Sequence, residues 1–198
     1  MTTKPLRRWT GGEEMNIKLR TAVLVSAMIL LLTAACSDKQ TTGNDDLLAI
    51  EDRLVKNNEI AGWTYFQGGW VANNISELTT HIDGMAVVYE RHGFVEAAHQ
   101  SYQGTIDDAA RTLQATVYNQ GTAANAEDTF DDPEIGLTGT TIWTDGAGDE
   151  AHFKLLGLSY ALAFRRGPFF VYLDIGYNTE ESLNILKQFA LNIDGKLQ

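Results

Sequence analysis

The sequence has one cysteine, Cys36, in 198 residues. A single thiol cannot form an internal disulfide, so packing alone must hold the fold even in an oxidising compartment. Cations are scarce too: 15 Lys plus Arg stand against 26 Asp plus Glu, a formal net charge of −11. No basic patch with interleaved aromatics occurs, which excludes nucleic acid as an expected partner. The longest uncharged apolar run, Thr21 to Ala35, is about 15 residues, short of the roughly 20 that span a bilayer as a helix. Nucleophile motifs are missing as well: there is no Gly-x-Ser-x-Gly elbow and no Ser-x-x-Lys pair. The four histidines, His81, His92, His99 and His152, show no i, i+4 pair of the kind that binds zinc. No cofactor and no metal are expected, and no catalytic residue is assigned.

What is present is concentrated first near the N-terminus. Met15 to Arg20 carries Lys18 and Arg20, then the uncharged run leads to Ala34, Ala35 and Cys36. A positive segment, an apolar segment and a small-residue end make a secretory signal peptide over 15–35. Leu32-Thr33-Ala34-Ala35-Cys36 resembles a bacterial lipobox, in which the cysteine is acylated and becomes the first residue of the mature chain. The resemblance implies that Cys36 is the lipidation site and that the membrane is a partner through its acyl chains. Several buried chains, at about 0.8 kcal/mol per methylene, anchor where one alone does not. The alternative is an ordinary secreted protein with a chance cysteine at the cut. Residues 1–14 read as an upstream extension outside the fold, with Met15 as the expected start. Ser37 to Asn44 is polar and aperiodic, so 36–44 reads as a lipidated tether. The expected location is the periplasmic face of the outer membrane in a Gram-negative cell, and otherwise the outer face of the cell membrane.

Residues 45–198 suit one domain. An apolar stripe of Leu47, Leu48, Ile50, Leu54 and Val55 predicts a helix over 45–56, and a second helical segment lies within 74–92. Strands are expected at 93–102, 112–118, 138–144, 153–164 and 169–175, with a turn at Arg165-Arg166-Gly167-Pro168. Thr122 should cap a short helix, and Thr179 a long one ending at Gly195. The fold class is therefore α+β, a mostly antiparallel sheet of about five strands with packed helices. Its strand order is similar to a PsbP-like sandwich.

One stretch, His81-Ile82-Asp83-Gly84-Met85-Ala86-Val87-Val88-Tyr89-Glu90-Arg91-His92-Gly93-Phe94, puts two histidines and two acids close together. Read as structure, Asp83 caps the helix N-terminus, Met85, Val88 and Tyr89 share a face, and Gly93 ends the helix left-handed. Read as chemistry, a His/Asp pair is a base with its orienting carboxylate, but no nucleophile accompanies it. Gly62-Trp63, followed by Ile82-Asp83-Gly84-x-Ala86-x-x-Tyr89 and Gly93-Phe94, resembles a family of uncharacterised bacterial exported proteins, a domain of unknown function. The resemblance marks Asp83, Gly84, Tyr89 and Gly93 as motif positions. It implies an exported α+β domain and no known activity.

Two acidic clusters, Glu127 to Glu134 and Asp145 to Glu150, fit no twelve-residue calcium loop and read as solvated surface, with weak calcium binding as the alternative. Trp63 and Trp143 are expected in the core, and Trp70 is expected partly exposed. The functional expectation is a lipid-anchored envelope protein, a binding or accessory module with a possible protein partner. An envelope hydrolase using a carboxylate or a histidine is the alternative.

Overall fold

The computed structural model describes residues 48–135 and 137–198. The expected extension 1–14, the signal peptide 15–35, Cys36, the tether 36–44 and the first three residues of the expected helix 45–56 lie outside the described residues. Within them, that helix is replaced by a single 3₁₀ turn, Ile50–Arg53. Leu54 then turns extended, and the Val55 carbonyl accepts the Tyr102 hydroxyl at 2.7 Å. Val55 finds its partner across the core instead of one helical turn along.

Among the described residues, eight antiparallel strands form the sheet, where about five were expected. They are β1 (Thr64–Tyr65), β2 (Trp70–Ala72), β3 (Glu96–Ile106), β4 (Ala109–Asn119), β5 (Thr141–Ile142), β6 (Glu150–Leu156), β7 (Ser159–Arg166) and β8 (Phe169–Ile175). Their order is β1-β3-β4-β8-β7-β6-β5, and β2 pairs with β3 beside β1. Two of the extra strands, β1 and β2, are pieces of two and three residues, too short to show a period. The third arises because the expected strand 153–164 is really the β6–β7 hairpin, while the expected strand 138–144 shrinks to β5. Gly157, at φ 64°, turns it, but the leucines around it hide the turn in a continuous apolar run.

Four helices among the described residues cover the sheet: α1 (Ile75–Ile82), α2 (Ala86–Arg91), α3 (Ala123–Asp131) and α4 (Glu180–Asp194). The Thr179 hydroxyl accepts the Ser182 N–H, and Glu180 and Glu181 occupy the first turn, so α4 starts where expected. Gly195 ends it, in a right-handed conformation. Thr122 caps α3 through the Asn125 N–H.

Strand alternation sorts the core into two layers. Leu113, Ala115 and Val117 of β4, Val171, Leu173 and Ile175 of β8, and Leu162 and Phe164 of β7 face α4. There they meet Leu186, Phe189, Ala190 and Ile193. Trp63 stands edge-on to Phe189 at 5.6 Å, and Gly104 leaves room for its indole, which a methyl there would strike. The opposite layer joins Ala97, Tyr118, Phe170 and Ala163 to Leu78, Val88, Tyr89 and Phe130 of the other three helices. Each fully buried side chain of this size contributes about 1.5–3 kcal/mol, so these two layers dominate stability. No helix among the described residues is long and apolar enough to cross a membrane.

Candidate functional site

The α4 face is apolar through its centre and ends in the Arg166–Asp194 ion pair. On the other face, α1, α2 and α3 cover apolar residues at one end of the strands, and polar residues follow. The register aligns His99, Thr116, Tyr172, Ala163 and His152 across five strands. The next row of that face aligns Ser101, Gln114, Asp174, Ala161 and Lys154. Ionisable groups are thus placed where a central sheet face would ordinarily be hydrophobic.

A cavity of about 240 Å³ opens where the helices stop. Its walls are Tyr118 of β4, Tyr172 of β8, Ile82, Met85 and Tyr89 from the α1–α2 region, and Glu134 and Ile135 after α3. Tyr89 and Tyr118 stack at 4.2 Å, within 14° of parallel. Burial raises both phenols above the ordinary tyrosine range. Tyr172 is pushed up to about 12 by burial and then by Asp174. Asp174 is pushed up to about 6 by burial alone. Shifted groups clustered at a concave surface are the physical signature of a binding or reacting site.

On the same sheet face, Trp70 of β2 lies between two imidazoles. His81 stacks on it at 4.6 Å and 3°, and His99 at 5.2 Å and 10°. His99 Nδ1 lies 2.9 Å from Thr116 Oγ1, and its Nε2 is 3.3 Å from Ser101 Oγ. Burial, then the nearby His81, lowers His99 to about 4, so it is neutral at physiological pH. A larger cleft of about 540 Å³ adjoins Trp70 and His99, but its charged lining is partly engaged, as in the Lys56–Asp52 pair at 2.8 Å. The smaller cavity gathers three tyrosines whose phenols burial raises, Tyr89, Tyr118 and Tyr172; Asp174, two residues beyond Tyr172 on β8 and outside the cavity wall, has no ion-pair partner among the described residues.

The motif positions separate. Asp83 does not cap a helix N-terminus: it ends α1 at φ 22°, and α2 begins after Met85 without a side-chain cap. Asp83-Gly84 is a break between two helices, with Gly84 left-handed at φ 60°. The break lets Ile82 and Met85 both reach the cavity. Tyr89 lines it, as part of the buried stack. Gly93 ends α2 as expected, at φ 79°, with its N–H on the Glu90 carbonyl and that of Phe94 on the Tyr89 carbonyl.

The histidines do not gather around Asp83. His92 Nε2 is 2.7 Å from Asp132 Oδ2, clasping α2 to the end of α3. His152 Nε2 is 3.2 Å from Glu150 Oε1. The acidic clusters are partly ion-paired: Arg166 holds Asp149, Arg165 holds Glu150, and Arg91 holds Glu134, while Asp128, Asp131 and Asp145 are exposed. No group of three or more potential metal ligands occurs among the described residues. Trp63 is core, Trp143 packs against the core, and Trp70 is half-buried.

Sequence reasoning missed Tyr118, Tyr172 and Asp174. The signal was present in Phe169-Phe170-Val171-Tyr172-Leu173-Asp174-Ile175. One alternate set is wholly apolar, and the other steps from Phe through Tyr to Asp. A central strand with an acid on its second face marks a place where the covering layer stops. Compared with known family models, curated proteins and solved structures, the chain matches none.

Proposed function

We propose that the chain is a lipid-anchored protein of the cell envelope, held through Cys36, whose domain binds a small ligand in the tyrosine-lined cavity. The PsbP-like likeness belongs to this reading, as does placement on the outer side of a membrane. The observation that carries the binding role is the cavity itself. Tyr118 and Tyr172 present aromatic surface from the sheet, and the Asp83-Gly84 break holds the helices back from them. Aromatic walls with a few fixed polar groups are what small-molecule sites are built from.

Native mass spectrometry of the chain released from its own membranes tests the binding role. Wild type should retain an adduct that Met85→Trp loses, because an indole at that exposed rim position fills the cavity. A bare mass for wild type overturns the role. Anchoring is tested separately. Cys36→Ser should stop acyl incorporation and leave the membrane fraction, and a variant that stays membrane-bound refutes the lipobox reading.

Asp174 supports a second reading, an envelope hydrolase, since a carboxyl near 6 suits a general base at neutral pH. That reading expects Asp174→Asn to abolish turnover of a substrate held against β8 at Asp174. The binding reading expects no turnover to lose.

A further inference from the structure

The β6–β7 hairpin ends in a turn that stands in solvent. Leu156 pairs with Ser159, so Gly157 and Leu158 alone make the turn, and Gly157 takes its left-handed first position at φ 64°. Leu158 is left at the crest, 80% exposed, with Leu155 and Leu156 exposed just behind it on opposite faces. β5 pairs with β6 only at His152 and Phe153, and the last pair of β8 with β7 is at Tyr160. Among the described residues the tip therefore projects past the strands on either side of it. No charged residue occurs between Lys154 and Arg165. Leucines grouped at the end of a protruding, uncharged hairpin are unfavourable in water and mark a surface with a use.

We propose that this tip dips into the bilayer that holds the chain, with Leu156 and Leu158 among the acyl chains and the half-buried Tyr160 at headgroup level. The proposal rests on the anchoring reading above. Lipid suits the tip better than a protein partner does. The three leucines at these exposures offer on the order of 200–300 Å², whereas a stable protein interface takes about 800 Å² from each partner. A hydrocarbon phase asks only for apolar surface, and the tip carries no charge into it. The reach is sufficient. The Ile50–Arg53 turn sits at the far end of the sheet, where Arg53 lies over the Phe169 ring at 4.5 Å. From there the tip is one length of β7 away, about 25 Å. The stretch between Cys36 and Leu48, residues 37–47, can span roughly 36–40 Å. The acidic Asp107-Asp108 turn lies at the same end but on the far side of β8, so the hairpin edge alone meets the bilayer.

The test uses the chain purified from its own membranes in non-ionic detergent and reconstituted into phosphatidylcholine vesicles. Leu158→Cys carries a nitrobenzoxadiazole label, and an acylated Cys36 has no thiol to compete for it. The emission should shift to the blue and lose intensity when nitroxides are placed on the lipid acyl chains. The same label at Asp128→Cys, exposed on α3, should do neither. Leu156→Asp should remove both effects at position 158, with circular dichroism matching wild type and Cys36 keeping the chain in the membrane fraction. A label at position 158 that emits as in water and is not quenched overturns the insertion and leaves the anchor standing. A blue shift that acyl-chain nitroxides do not quench also overturns it and puts the tip against protein, whether a second copy or another chain. Label taken up by wild type marks a free Cys36, which refutes the anchor and the proposal together.

Discussion

The two faces of one sheet differ in how completely they are sealed. Against α4, Leu113, Ala115 and Val117 of β4, Leu162 and Phe164 of β7, and Val171, Leu173 and Ile175 of β8 meet other apolar side chains, Arg166 is paired with Asp194 at the end of the layer, and Trp63, Tyr102 and Phe189 close it with edge-to-face contacts. On the other face the same strands carry Phe170, then Tyr172, then Asp174, as the helical cover gives way to a cavity. The same backbone thus serves stability on one side and leaves ionisable groups near solvent on the other. A face that is finished can do nothing but hold the fold, whereas one left unfinished has surface to offer.

The contrast is broken most directly by truncating one aromatic on each face. Phe189→Ala should cost about 3–5 kcal/mol, because the ring is fully buried and its neighbours Trp63 and Tyr102 belong to a rigid layer. Tyr172→Leu should cost less than about 1 kcal/mol, since the ring is only half-buried against an existing cavity. Urea denaturation midpoints measure both. Similar losses would mean that the second face bears as much of the fold as the first.

Asp174 sharpens the contrast through its sign. Its carboxyl titrates near 6 when folded and about 3.9 when unfolded. Between those values the folded state holds a proton that the unfolded state releases, so this group lowers stability as pH rises from about 4 to about 6, and the loss persists above. His99 works the opposite way. Held neutral down to about 4, its stabilising contribution is full above about 6.5 and is lost as pH falls. The two slopes oppose each other in wild type. Asp174→Asn should gain about 2 kcal/mol at pH 8, nothing below pH 4, and should expose the rising His99 slope between. A pH profile of stability unchanged by the substitution would show that Asp174 is well solvated.

Asp132 belongs to the covered end of the same face and behaves as a structural acid. The His92 imidazole, then the Glu134 N–H, holds its carboxyl below the usual carboxylate range. Its contribution is therefore present above pH 4 and is lost as pH falls below that. Asp132→Asn should cost about 1–2 kcal/mol at pH 7, with the difference from wild type shrinking in acid. A constant difference across pH would locate the effect in packing instead of charge.

How much of this was legible in the sequence depended on whether the cause was local. Thr179 with Glu180 and Glu181 announced α4, and Gly93 with Phe94 announced the end of α2, because caps are written in adjacent residues. The β6–β7 hairpin was not legible, since Leu155, Leu156 and Leu158 stay exposed around its turn and mimic a buried run. Asp83 read as a cap because capping and turn-forming acids look alike; only packing against the sheet decides that α1 must stop. The site was least legible of all. Tyr118 and Tyr172 come from strands more than fifty residues apart, and no single window holds both.

The smallest effect lies where neither face is at issue, at the turn joining β3 to β4. Asp107 and Asp108 both sit at positive φ, 52° and 57°, as a two-residue hairpin turn of the primed type requires. Asp107 repays that strain by accepting the Tyr177 hydroxyl at 2.9 Å, while the second position usually prefers glycine. Asp108→Gly should therefore stabilise by about 0.5–1 kcal/mol, the left-handed cost outweighing glycine's greater freedom when unfolded. Thermal unfolding of the two chains side by side is enough to see it. A loss instead of a gain would mean that the Asp108 side chain holds the turn, and that this end of the sheet depends on its own charges as the open face does.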